Sequence, residues 1–232
     1  MFFKNEKEKC FAYLAHTACD NNNFILDFHL TPGNIHDSVA FSDLYKKVKN
    51  NSKQHTTAIA IDAGYITPYI CKTLLDDGII PAIPYKRPMT KKGFFKKYEY
   101  VYDEYNDIYI CPNEKDLIPT SINKDGYIIY KADQNDCENC PFKDKCTKMK
   151  SKQILRHVWE GYKEMVEELR HDIKNKEKYK ERSSHIERLF GDGKTKFGLG
   201  KTYFRGKERV SRELTLLYAC MNLKKFALHH YV

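Results

Sequence analysis

Residues 57–85 constrain what this chain folds into more than any other stretch. Thr57-Ala-Ile-Ala-Ile-Asp62 is an apolar run of strand length that ends in a carboxylate. Ala63, Gly64 and Tyr65 turn the chain, a helix is expected from about Thr67 to Asp77, and Gly78 stops it. Residues 79–85 then form a second apolar strand. Two strands joined by one helix lie parallel, because the crossover returns the chain to the same end of the sheet. Open α/β sheets take their ligands at the C-terminal ends of such strands, which is where Asp62 falls. An unpaired buried carboxylate is costly there, which leaves two readings of Asp62. It is a ligand for Mg²⁺, an ion that prefers oxygen donors and keeps several waters, or it caps the turn that follows.

The flanking segments extend this pattern. Residues 9–19 are apolar, aromatic and short, as in a buried strand; residues 20–23 signal a turn, and residues 24–30 read as the second arm of a hairpin. Ser38 is the expected N-cap of a helix running to about Lys49. From residue 86 to about 152 the chain becomes polar, Tyr-rich and Cys-bearing, without helical periodicity, as in an insertion of short strands and loops. Beyond it, Val158, Tyr162, Met165, Val166 and Leu169 fall at helical spacing, and Leu214, Leu217, Tyr218, Met221 and Leu223 mark a buried C-terminal helix. The expected organisation is a core begun by residues 1–85, a Cys-rich insertion over 86–155, and a helical completion over 156–232.

Forty Lys and Arg against 31 Asp and Glu give a net charge of +9, which favours a polyanionic partner such as nucleic acid. The excess peaks at residues 86–97 and 174–212. The first run, interleaved with Phe94 and Phe95, is read either as a phosphate-tracking segment or as a solvated loop. No run of 18 apolar residues and no signal-peptide pattern is present, so no membrane partner is expected and cytoplasm is the expected compartment. Eight cysteines then argue for reduced thiols or a metal site. Cys137, Cys140 and Cys146, with Cys111 as a fourth donor, are a candidate structural Zn²⁺ site; free thiols and an iron–sulfur cluster are the alternatives. Cys10, Cys19, Cys71 and Cys220 sit in apolar segments and are expected in the core, and His16, His29 and His36 are expected to be packed or hydrogen-bonded.

A second acidic segment runs from Tyr179 to Lys194. On one helix Glu187 and Lys194 lie about 20° apart, with Ile186, Phe190 and Phe197 on a neighbouring apolar stripe. That places a carboxylate beside an amine suited to phosphate. Arg182, five residues before Glu187, would lie about 140° away on the same regular helix; a π-bulge or a late helix start brings it back. Gly191 and Gly193 are expected to weaken the helix by roughly 1 kcal/mol each.

Asp62-Ala-Gly-Tyr65 followed by Tyr179, Arg182, Glu187 and Lys194 resembles the DDE transposases of bacterial insertion sequences, most closely the IS1182-like group. Leu30-Thr-Pro-Gly-Asn-Ile-His-Asp37, residues 100–105, the Cys-rich segment and Arg156-His-Val-Trp-Glu160 carry the same likeness over nearly the whole chain. The resemblance implies an α/β, RNase H-like mixed sheet flanked by helices. It further implies that Asp62 and Glu187 are catalytic ligands of Mg²⁺ or Mn²⁺, and that Tyr179, Arg182 and Lys194 contact DNA or order the site. Transposon ends and target DNA would be the partners, with a homodimer as the further expectation. The family's first Asp and its N-terminal DNA-binding region have no counterpart; Asp20, Asp27 and Asp37 do not fit the role. The chain is therefore expected to be a C-terminal transposase portion, inactive alone and completed by an N-terminal fragment. A zinc-stapled, non-catalytic DNA-binding derivative and an inert remnant are the alternatives.

Overall fold

In the computed structural model, which describes residues 2–3, 9–51, 56–85 and 89–230, the chain forms two compact units. One comprises Met1–Pro84 with Met165–Val232, the other Tyr85–Glu164.

The first unit opens with a short pair, β1 (Phe2–Phe3) against β2 (Lys9–Cys10). The hairpin β3 (Tyr13–Cys19) and β4 (Ile25–Pro32) follows, antiparallel with His16 opposite His29. Its first strand is half-buried rather than buried: only His16 is fully enclosed, because β3 has β4 as its single strand partner among the described residues. Helix α1 (Asp37–Asn51) starts one residue ahead of Ser38, so Ser38 is not its N-cap. The His36 ring accepts the Ser38 N–H at 3.3 Å instead. Ala40, Phe41 and Leu44 form its buried face, at the i, i+4 spacing of a helix laid on a sheet.

Strand β5 (Ala58–Ala60), helix α2 (Pro68–Asp76) and strand β6 (Ile80–Ala82) realise the parallel crossover, with Ala58 opposite Ile80 and Ala60 opposite Ala82. Thr67 caps α2 through its hydroxyl and Pro68 occupies the first turn, where a missing N–H costs nothing. Gly78 ends it at φ +71°, a backbone conformation that favours glycine. The β3–β4 and β5–β6 pairs are separate sheets among the described residues, so the expected continuous mixed sheet is not formed.

In the second unit the expected short strands join into one sheet. Strands β7 (Val101–Asp103), β8 (Ile108–Ile110), β9 (Asp116–Ile122), β10 (Tyr127–Ala132), short helices α3 (Gln134–Glu138) and α4 (Lys143–Cys146), and strand β11 (Gln153–His157) succeed one another. The strands form one antiparallel five-stranded sheet in the order β11-β10-β9-β8-β7. Its core is mostly tyrosine: Tyr100, Tyr109 and Tyr130 are buried with Leu117 and Ala132. The Tyr102 and Tyr130 hydroxyls both donate to Asp107 Oδ1, at 2.8 and 2.5 Å, so these rings enter the interior without an orphaned polar group.

The chain then runs through α5 (Glu160–Leu169), α6 (Ile173–Lys180), α7 (Ile186–Lys196) and α8 (Lys207–His230). Val158 precedes the first of these helices and is exposed. The core of the first unit joins Ile25 and Leu30 of the hairpin to Leu189 of α7 and Val210, Leu214 and Tyr218 of α8. Leu223 and Cys220 of α8 lie on its exposed face, correcting their expected burial. Cys19 and Cys71 are in apolar surroundings as expected; the Cys10 side chain and residues 86–88 lie outside the described set.

Candidate active site

Asp62 follows β5 by two residues and is exposed rather than buried. Its Oδ1 accepts the Ala63 N–H at 2.6 Å and caps a 3-10 turn over Ala63–Tyr65. The burial premise for Asp62 therefore fails, while capping occupies only one of its carboxylate oxygens.

Glu187 reaches the same place by way of a broken helix. α6 ends at Lys180, Glu181–Ser183 form a 3-10 turn, and α7 begins at Ile186. No single helix spans Tyr179 to Lys194, so the 140° separation of Arg182 and Glu187 does not arise. The break is held from outside: the His185 ring Nε2 lies 2.8 Å from Asn21 O, and Asn23 Nδ2 donates to Ser184 O at 3.5 Å. Asn21 and Asn23 are in the turn of the β3–β4 hairpin.

Arg182 joins the two acids. Its Nη2 lies 3.9 Å from Asp62 Oδ2 and its Nη1 3.8 Å from Glu187 Oε1. The Arg182 side chain is 15% exposed and each carboxylate 59%, so the cation forms the floor and the acids the rim. At these separations the contacts are ion pairs rather than hydrogen bonds. Tyr179 orients Arg182: its hydroxyl oxygen accepts from Nη1 at 3.2 Å, and the guanidinium carbon lies 5.5 Å from the ring centroid. Lys194 is exposed on α7, seven residues on, and makes no ion pair with either carboxylate among the described residues.

Behind Asp62 lies a set that no sequence pattern brought together. His16 Nδ1 is 2.7 Å from the Tyr65 hydroxyl and Nε2 2.9 Å from Thr31 Oγ1. Asp37 Oδ1 is 3.8 Å from the same ring, and a methyl group added at Gly64 would collide with Asp37 Oδ2. Gly64 is thus required by the approach of that carboxylate to the turn. Burial, then the charges of Asp37 and Asp62, push the Tyr65 hydroxyl far above its ordinary pKa, and burial lowers that of His16. Both groups are therefore neutral hydrogen-bonding partners near pH 7. His16, Asp37 and Tyr65 belong to three separate motifs, and only the fold shows that they support one turn.

The apolar stripe of α7 also differs from expectation. Leu189 and Gly193 are buried, whereas Ile186, Phe190 and Phe197 are half-buried. Gly193 is a packing requirement: a Cβ there would sit 2.8 Å from Leu199 Cδ2.

In the second unit, Cys111, Cys137 and Cys146 all border the tyrosine core. Cys146 Sγ lies 3.2 Å from the Tyr100 hydroxyl, and burial pushes its thiol pKa up, favouring thiol over thiolate. Among the described residues no group of three or more His, Cys, Asp or Glu is arranged to hold a metal ion, so the geometry lends zinc no support. At the acidic site two exposed carboxylates present oxygen atoms, the donor type that Mg²⁺ prefers, though they too form no group of three.

Among the described residues no helix is long and apolar enough to cross a membrane. No curated protein and no solved structure matches the chain. The family model described as Transposase DDE domain matches residues 110–227, just over half of the chain. That span contains Tyr179, Arg182, Glu187 and Lys194, and Asp62 precedes it. The chain belongs to the transposase DDE domain family.

Proposed function

We propose that this chain supplies two metal-holding carboxylates, Asp62 and Glu187, to a DDE transposase of the IS1182-like group that cuts and joins DNA phosphodiesters. The carrying observation is that Arg182 lies within 4 Å of both acids, although they are far apart in the chain. Exposed acids over a largely buried cation make a site whose face is free for a substrate and whose base is fixed. Asp62 and Glu187 would hold Mg²⁺ or Mn²⁺, which when bound activates an attacking water or 3′-hydroxyl and offsets charge on the phosphate. Arg182, positioned by Tyr179, keeps the carboxylates at a set separation and adds positive potential beneath a phosphate. Lys194, exposed on the same helix as Glu187, binds phosphate further along the DNA.

Among the described residues Arg182 forms ion pairs with no carboxylate besides Asp62 and Glu187. The β3–β4 and β5–β6 pairs are likewise unjoined there. An Asp-bearing strand contributed by a partner, such as an N-terminal transposase fragment, would supply a further acid and complete an RNase H-like sheet. The partners would then be transposon ends and target DNA, bound by a homodimer.

The test is nicking of supercoiled plasmid with Mg²⁺ or Mn²⁺, with and without an added N-terminal fragment, alongside Mn²⁺ binding followed by its paramagnetic resonance signal. Asp62→Ala and Glu187→Ala should each abolish nicking and weaken Mn²⁺ binding. Nicking or Mn²⁺ binding that survives both substitutions would refute the assignment. DNA binding with no nicking under any of these conditions would instead favour a non-catalytic derivative.

A further inference from the structure

The second unit carries a charged surface that the carboxylate site does not use. Residues 91–97 and 143–152 are far apart in sequence but lie side by side. Phe95 N donates to Lys145 O at 2.9 Å, and the Phe95 ring meets Phe142 and Tyr100 edge-on at 5.9 and 6.4 Å. Together they hold Lys91, Lys92, Lys96, Lys97, Lys143, Lys145, Lys148, Lys150 and Lys152, with Asp144 as the acid among them. The second basic run is less evident in the sequence than the first, because Asp144 and Cys146 dilute it.

The fold assigns some of these charges locally. Lys97 pairs with Glu160 at 3.0 Å, and Lys152 lies 4.6 Å from the Tyr100 ring centroid. Lys92, Lys145, Lys148 and Lys150 are exposed, and no carboxylate lies within 4 Å of them among the described residues. Massed like charges repel, and a polyanion relieves that repulsion while releasing its own counterions. The lysines stand on a structured base: the Phe95–Phe142–Tyr100 contacts, the Lys145 carbonyl bond, and a turn in which Thr147 Oγ1 accepts the Met149 N–H at 3.1 Å. Their backbones are therefore ordered before any ligand arrives, which lowers the entropy cost of binding.

Composition narrows the mode of recognition. Every cation of the surface is lysine, a compact point charge, and none is arginine, whose planar fork reads guanine edges bidentately. Such a surface follows phosphates and leaves base sequence unread.

We propose that residues 91–97 and 143–152 form a second DNA surface, which tracks the phosphate backbone of a duplex without sequence preference and without metal. The choice of DNA as the polyanion rests on the transposase reading above. The surface belongs to the second unit alone, so its binding energy is separable from the chemistry at Asp62 and Glu187.

The experiment uses the full chain in EDTA and a short fluorescein-labelled duplex of mixed sequence, with anisotropy measured over a range of salt concentrations. Lys92→Ala/Lys145→Ala/Lys148→Ala should lower the magnitude of the salt slope by about three, one per phosphate contact. Lys115→Ala/Lys124→Ala/Lys131→Ala removes as many charges elsewhere in the same unit and should leave the slope within about one of wild type. Far-ultraviolet circular dichroism of both variants confirms that each is folded. Equal losses in the two variants would reduce the effect to net charge and overturn the proposal, as would an unchanged slope in the first. Patch-dependent binding of anionic vesicles with none of duplex would also overturn it. Failure of nicking with patch-dependent binding intact would sink the carboxylate assignment alone.

Discussion

Gly191 and Gly193 sit two residues apart on α7, and their replacement by alanine should have opposite effects. Alanine gains roughly 1 kcal/mol of helix propensity over glycine at either position, partly by restricting the unfolded chain. A Cβ at Gly191 meets nothing within 4 Å, so the gain stands unopposed. A Cβ at Gly193 would lie 2.8 Å from Leu199 Cδ2, 3.3 Å from Leu199 Cβ and 3.5 Å from Met221 Cε. Leu199 has little room to withdraw, because its own N–H donates to Gly193 O at 2.9 Å. Overpacking of this kind costs about 1–3 kcal/mol, which equals or exceeds the propensity gain. The propensity term cancels between the two variants, leaving Gly191→Ala more stable than Gly193→Ala by about 1–3 kcal/mol. With a urea slope of around 2 kcal/mol/M, the midpoints should differ by roughly 0.5–1.5 M at unchanged slope. Urea unfolding of both proteins followed by circular dichroism measures this. A Gly193→Ala midpoint equal to or above that of Gly191→Ala would refute the reasoning, and with it the packing role of Gly193.

Three further outcomes are expected. Burial first, then the charge of Asp20, pushes the Cys19 thiol from its ordinary 9.0 up to about 11. Its contribution, about 2–3 kcal/mol, is complete below pH 9 and lost as pH rises towards 11. Cys19→Ala should flatten the alkaline fall in stability between those limits, and an unchanged fall would count against the assignment. Arg156 holds Glu164 by two bonds of 2.6 and 2.7 Å and stacks 3.9 Å above the Tyr102 ring. Arg156→Lys keeps the charge but loses the fork and the stack, and should cost about 1–3 kcal/mol in thermal unfolding; an unshifted melting temperature would contradict this. Asn175 Nδ2 donates to Pro81 O at 3.2 Å and Leu169 O at 3.1 Å. Leu169 O also accepts the Asp172 N–H at 3.1 Å, so Asn175→Ala strips its donor from the Pro81 carbonyl alone. The expected loss is about 1–3 kcal/mol by urea unfolding, and a neutral result would show that carbonyl to be solvated.

The parallel crossover was legible because each signal in it acts locally: apolar runs of strand length, Thr67 and Pro68 at a helix start, and Gly78 in the left-handed region. The break between α6 and α7 was not. It contains neither proline nor glycine, and what ends the helix is a pair of contacts from Asn21 and Asn23, far away in sequence. In the second unit short strands were expected, but the core that joins them into one sheet was not: it is built of tyrosines, which count as polar until Asp107 is seen to satisfy two of the hydroxyls. Asp62 and Glu187 are related in the sequence only through the family resemblance, and the place of Arg182 between them is not legible there: it meets both because the 3-10 turn aims it at Asp62 while α7 starts afresh behind it. His16, Asp37 and Tyr65 form a unit solely through tertiary contact.

The hairpin turn at residues 20–23 has a consequence for what lengths this chain tolerates. Surface turns between antiparallel strands are ordinarily where inserted residues do least harm. Here the loop-closure cost of an added residue would be small, yet the turn's tip is fastened to Ser184 and His185, just ahead of Glu187. One extra residue would shift those fastenings by several ångströms, and the first turn of α7 would move with them. The length of this surface loop is therefore fixed by the register of a carboxylate on another element, and it should resist insertion as a core strand does.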